Sequence, residues 1–271
     1  MKFKKLSPDR FLESCNQWFF DHTCQLIYKD SSGISPEASG TFIQFEDLYI
    51  LLTADHVFEN KDPEKFFIFP TIEDNIIQIS GLLVRSSTDS SFGKEVDFAY
   101  IILDEQCYCL VSKYYSFITY PNLYIEQFNI NDGVLFTTGL PDRKTSIQIR
   151  HNASYIRATN NCIINNLAEN YAYKKPYDKR YHLLLKYGRK MLNPESQNVE
   201  LRGNIKGMSG GGLWYINDPT LLDISNPPVS LVGILNDFDK NYICSTRFHI
   251  VYQFVRDTAR YHRKHRILKL R

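Results

Sequence analysis

Long apolar runs are missing from this sequence. No stretch of its 271 residues approaches 18 uninterrupted apolar positions, so it predicts no membrane-spanning helix. A strong charge of one sign is missing too. The formal net charge is +2, which excludes a chain basic throughout in the manner of many nucleic-acid binders. Behind the basic start (Lys2, Lys4, Lys5) there is no apolar segment of a secretory signal, because Asp9, Arg10 and Glu13 interrupt it. Cysteine is sparse: Cys15, Cys24, Cys107, Cys109, Cys162 and Cys244. Only Cys107 and Cys109 are close, with one residue between them, whereas zinc pairs usually have two to four between them. The expectation is a cytoplasmic chain with reduced thiols and no metal.

What is present is a core former. Hydrophobic residues make up 43% of the chain, enough to exclude global disorder. Ser7-Pro8-Asp9-Arg10 offers a helix start, and Phe11, Cys15, Trp18, Phe19 and Leu26 recur at helical spacing, which predicts a helix over 7–28. The pattern then changes. Thr41–Phe45 and Leu48–Thr53 read as strands around a turn at Glu46-Asp47. Ten further strand-like runs follow, among them Ile76–Val84, Phe98–Leu103, Gly133–Thr138, His182–Leu185, Gly212–Tyr215, Ser230–Leu235 and Tyr242–Thr246. Cys107-Tyr108-Cys109 alternates like a strand, with both thiols on one face. About a dozen short strands predict an all-β barrel or sandwich. A boundary between halves fits 110–130, and an irregular insertion fits 159–200. A closing helix fits Ile250–Arg266, with Val251, Phe254, Val255, Ala259 and Tyr261 as its packed face.

Three short stretches carry residues suited to chemistry. Leu51-Leu52-Thr53-Ala54-Asp55-His56-Val57 ends an apolar strand on a histidine. Val96-Asp97-Phe98-Ala99 opens another strand on an aspartate, and Gly207-Met208-Ser209-Gly210-Gly211-Gly212 sets a serine in a glycine-rich turn. Each is unremarkable alone. Together they supply a weak nucleophile, a base that titrates near neutrality and a carboxylate to orient that base. Glycines let backbone N–H groups converge on one point, and the amides of Gly207 and Ser209 are the natural oxyanion pair.

In this order the three stretches resemble the chymotrypsin/trypsin-like serine protease family. Thr53-Ala54-Asp55-His56-Val57 resembles its T-A-x-H-[CV] motif, Gly207-Met208-Ser209-Gly210-Gly211 its G-x-S-G-G motif, and Asp97-Phe98-Ala99 its D-x-A segment. Ser39-Gly40-Thr41-Phe42, Thr138-Gly139-Leu140-Pro141 and Leu231-Val232-Gly233-Ile234 add weaker matches, so that the likeness spans about 35–255. It implies two six-stranded antiparallel β-barrels with the site between them: the first over 35–120 with His56 and Asp97, the second over 121–250 with Ser209. An N-terminal helix and linker (1–34) and a basic C-terminal helix (251–271) flank them. It implies peptide-bond hydrolysis without metal or cofactor, on a protein or peptide substrate.

The departures matter. Met208 stands where digestive relatives carry an aspartate that pairs with a newly cut N-terminus, so the resemblance is to bacterial or intracellular members without that zymogen switch. An ungated cytosolic protease is hazardous. This implies a narrow substrate or a regulatory protein partner, in a pathway such as stress response or antiviral defence. At the pocket base the family position six before the serine is Gly203, not aspartate. Asn236, Asp237 and Phe238 fall where the family pairs with substrate backbone, and Asp237 or Asp239 could draw a Lys or Arg side chain or merely form a turn. From Arg256 to Arg271, seven Lys or Arg face one acid, leaving two alternatives open: a solvated helix face, or a contact to nucleic acid or an acidic partner. Tyrosines 171, 173, 177, 181 and 187, interleaved with Lys and Arg, suit packing or docking more than base stacking. The competing overall reading is a protease fold that binds peptides without cutting them.

Overall fold

The computed structural model describes residues 17–70, 76–88, 96–126, 134–142, 146–150, 153–157, 163–165, 167, 177–187, 190–192, 199–201, 205–216, 229–238 and 242–264. For 146–150, 153–157, 163–165, 190–192, 199–201 and 262–264 it describes the backbone alone.

Seven strands build the first sheet: β1 (Thr23–Asp30), β2 (Gly33–Phe45), β3 (Leu48–Thr53), β4 (Phe66–Ile68), β5 (Ile77–Gln78), β6 (Gly81–Arg85) and β7 (Ala99–Leu103). Their order is β5-β4-β1-β2-β3-β7-β6. The two edge strands are consecutive in sequence, joined through Ile79 and Ser80, so the sheet curls back toward itself. Interior strands read as continuous apolar runs because both faces are covered. In β3 Ile50, Leu51 and Leu52 are all buried.

The second half contributes β8 (Val134–Thr137), β9 (Ser146–Arg150), β10 (Ala153–Arg157), β11 (Ile163–Asn165), β12 (His182–Lys186), β13 (Lys190–Leu192), β14 (Val199–Leu201), β15 (Gly212–Ile216), β16 (Val229–Phe238) and β17 (Tyr242–Arg247). Six form a sheet in the order β11-β8-β15-β16-β17-β12, while β9-β10 and β13-β14 are separate hairpins. The architecture is therefore all-β, with two curled antiparallel sheets as expected. The first has seven strands rather than six.

Four expectations change. Residues 17–21 are helical (α1), but Thr23–Asp30 is strand β1, not helix; residues 7–16 lie outside the described set. The helical spacing of Phe11 to Leu26 was coincidental there, because β1 is paired on both sides, by β2 and β4, and buries consecutive residues. Ile76–Val84 divides at Ile79-Ser80 into β5 and β6, and β6 opens on Gly81 with φ +140°. Cys107 and Cys109 lie on helix α2 (Glu105–Val111), where the Asp104 carboxylate accepts the Cys107 N–H and caps the first turn. One thiol is consequently buried and the other exposed. Within 159–200, β11 and β12 belong to the second sheet, so that segment is partly framework.

Helix α3 (Phe248–Lys264) closes the described chain. Val251, Phe254, Val255 and Ala259 are buried, but Tyr261 is exposed, since it falls off the packed stripe. The core beneath joins both halves: Phe19 of α1, Ile50 and Phe98 of the first, and Trp214, Ile234 and Phe254 of the second pack in one cluster. Phe19 meets Phe136 and Trp214 with ring centroids 5.0 and 5.3 Å apart, and Phe254 stands edge-on to Phe98 at 5.1 Å. Among the described residues no helix is long and apolar enough to cross a membrane.

Candidate active site

Strand register brings the first two candidates together. Thr53 at the end of β3 pairs with Ala99 at the start of β7. The chain running on from Thr53 and the chain leading into Ala99 therefore share one end of the sheet. His56 lies there in a short 3-10 turn (Asp55–Phe58), facing Asp97. The His56 Nδ1–H donates to Asp97 Oδ2 at 2.7 Å, and the His56 backbone N–H donates to Asp97 Oδ1 at 3.0 Å. A carboxylate only accepts, so the proton is on Nδ1 and Nε2 presents its lone pair. This contact raises the His56 pKa above the ordinary histidine value; the Asp97, Asp237 and Asp55 charges act the same way, and burial opposes them.

Arg85 braces the turn from β6. Its Nε donates to the buried Asp55 carboxylate at 2.7 Å, and its Nη2 donates to the Asp55 carbonyl at 3.3 Å. The residue before His56 is thus held at both its side chain and its backbone.

Ser209 enters the same cleft from the turn before β15. His56, Asp97, Ser209, Asn236, Asp237 and Phe238 all line a cavity of about 740 Å³. Counting the backbone groups of the serine turn gives its character. The Gly207 carbonyl accepts from Ser39 Oγ at 2.8 Å, the Met208 carbonyl from Gly211 N at 2.9 Å, the Ser209 carbonyl from Ser39 N at 2.8 Å and the Gly210 carbonyl from Thr41 Oγ1 at 3.0 Å. The N–H groups of Met208, Gly210 and Gly211 donate to Ile205, Leu235 and Met208 carbonyls. That leaves the N–H groups of Gly207 and Ser209, which have no partner among the described residues. Two uncommitted donors flanking a serine are what a developing oxyanion requires. Gly207 has φ +94°, and a Cβ there would stand 1.9 Å from Asp142 Oδ1, so only glycine fits.

Met208 is fully buried in the second barrel's own cluster, which also holds Leu213 and Val232. Asn236 is buried too; its Nδ2 donates to Thr246 Oγ1 at 3.0 Å. Asp237 is exposed and accepts from the Tyr177 hydroxyl, while Phe238 is half-buried on the cleft wall. Gly203 and Asp239 lie outside the described residues, as do residues 265–271 of the basic tail. Tyr177 and His182 also line the cavity, together with Lys206, whose Nζ lies 3.6 Å from Asp142. Burial pushes the Asp142 carboxyl up, and Lys206 opposes that shift. Neither Ser39 nor Arg85 was marked by sequence as part of the site. Ser39 stood inside a small-residue motif, but its partner is 168 positions away. Among the described residues no cluster of His, Cys, Asp or Glu is arranged to hold a metal.

The arrangement is that of the chymotrypsin-like fold: two curled barrels with a cleft between them. No family model and no curated protein sequence matches the chain. Solved structures do. An inactivated protease paralogue of the scabies mite, S-I1, superposes with a TM-score of 0.52 at 11% identity, over 89% of this chain and 95% of that one. The thermostable serine protease AL20 of an extremophilic microorganism aligns with a TM-score of 0.45 at 12% identity, over 84% and 91%. At 11% identity the first likeness establishes the fold alone.

Proposed function

We propose that this protein is a serine endopeptidase. Ser209 attacks a peptide carbonyl while His56 Nε2 takes its proton, and Asp97 holds the imidazole and stabilises the imidazolium. The Gly207 and Ser209 amides stabilise the oxyanion. His56 returns the proton to the leaving amine, and water then hydrolyses the acyl-enzyme. The single observation that carries this reading is the backbone count at 207–211, which leaves only the two oxyanion donors uncommitted beside a histidine already bound to a carboxylate.

The substrate is a protein or peptide segment that lies in the cleft against Asn236–Phe238, with Asp237 and Tyr177 lining the same cavity. A cytoplasmic setting is consistent with the free thiols Cys24, Cys107, Cys109 and Cys244. The buried, uncharged Met208 suits an enzyme not switched on by an N-terminal ion pair. Any gating then comes from a partner or from narrow specificity.

The test is cleavage of a diverse peptide library followed by mass spectrometry. Wild type is expected to produce cuts that share a residue preference, and Ser209→Ala none. A folded wild type that retains peptides without cutting them contradicts the proposal and favours a binding module.

A further inference from the structure

We propose that Ser39 and Thr41, on β2 of the first barrel, are positioning residues that lock the oxyanion turn of the second barrel in its working conformation. The inference rests on the protease reading above. The turn needs such a device. Gly207, at φ +94°, rotates freely for want of a Cβ, and Met208 has no charge with which to anchor the turn. Rotation about Gly207 would disturb both peptides it joins: the 206–207 peptide, which carries the oxyanion N–H and whose Lys206 carbonyl accepts from Asp142 N–H at 2.9 Å, and the 207–208 peptide. It would also break the Met208 N–H bond to Ile205.

Three of the turn's carbonyls are pinned from β2. Ser39 N–H takes the Ser209 carbonyl, Ser39 Oγ the Gly207 carbonyl and Thr41 Oγ1 the Gly210 carbonyl. The direction of the Ser39 bond is fixed by its neighbours. Leu140 N–H donates to Ser39 Oγ at 2.8 Å, occupying a lone pair and leaving the single hydroxyl proton for the Gly207 carbonyl. Thr53 Oγ1 donates to the Ser39 carbonyl at 2.9 Å and holds the strand itself. Ser39 and Thr41 are fully buried and do not line the cleft, so they act on the turn and not on substrate. With the neighbouring carbonyls pinned to the first barrel, the 206–207 and 208–209 peptides, which carry the Gly207 and Ser209 amides, are held between fixed neighbours. The hydroxyls thus do by neutral hydrogen bonds what a charge pair at position 208 would do.

The experiment measures acylation by a fluorophosphonate and by a small ester, per titrated active site, in wild type, Ser39→Ala and Thr41→Val. Ser39→Ala is expected to slow acylation measurably, by up to the roughly 10²–10³-fold that follows loss of an oxyanion donor. Its KM for the ester and its His56 pH inflection should stay near wild type. Thr41→Val should show a smaller effect in the same direction, and it carries the test if Ser39→Ala does not fold. A merely structural role would lower the titratable fraction and leave the rate per site unchanged; that result overturns the clamp. Equal rates in all three proteins overturn it as well. A wild type that neither reacts with the probe nor hydrolyses the ester overturns the protease reading and the clamp together, so the two failures are distinguishable.

Discussion

At the level of single residues, the proposed chemistry turns on the contact between Asp97 and His56. The raised pKa means that the folded protein holds the His56 proton more tightly than the unfolded chain. That contribution to stability is complete below about pH 6.5, the unfolded value, and is lost as pH rises through the higher folded value. Activity has the opposite dependence, since Nε2 must be free to act as base. kcat/KM should rise with pH through an inflection above the ordinary histidine value. Asp97→Asn removes the largest cause of the shift, so the inflection should move down and kcat should fall about 10⁴-fold; a pH–rate profile of both proteins checks this. His56, Asp97 and Ser209 could be picked out in sequence as candidates because each sits in its own short motif. Arg85 was not, because nothing near it in sequence signals the Asp55 carboxylate 30 positions away. Arg85→Met leaves that buried carboxylate unpaired and should cost about 2–3 kcal/mol by denaturant titration.

At the level of elements, strand register and turn geometry position the groups. The Thr53–Ala99 pairing aligns the ends of β3 and β7, and the turn before β15 leaves no room for a side chain at 207. Gly207→Ala should therefore abolish ester hydrolysis, because Asp142 must move or the turn must change shape. Circular dichroism near that of wild type would show that the strands survive. Short apolar runs were readable as strands wherever turn residues bounded them. β1 was not, because a strand paired on both sides buries consecutive residues and has no alternation to read. Cys107-Tyr108-Cys109 failed for the converse reason: three residues fit a strand period by chance, while the Asp104 cap and one helical turn decide the outcome.

At the level of the whole molecule, the cleft exists because two barrels are held face to face. Phe19 from α1 and Phe254 from α3 fill the shared core, and Phe254 touches Phe98, next to Asp97. No sequence pattern reports such packing, because the partners are distant in the chain. Phe254→Ala should cost about 3–5 kcal/mol and lower the Tm by roughly 10 °C for a chain of this size. It should also slow catalysis at temperatures well below unfolding, read by calorimetry alongside ester hydrolysis. The strand-rich class was legible from the number and spacing of strands, while the two-barrel architecture was an expectation from the resemblance of the short motifs. The clamp between the barrels was not legible, because it is a relation between β2 and a turn 168 positions later.

The central claim is that Ser209 is an activated nucleophile facing a formed oxyanion site. The most direct measurement is intact-mass analysis after incubation with a fluorophosphonate. One adduct per chain is expected, mapped to Ser209 and lost in both Ser209→Ala and His56→Ala. A folded wild type that stays unmodified, or an adduct that persists in His56→Ala at the wild-type rate, would contradict it.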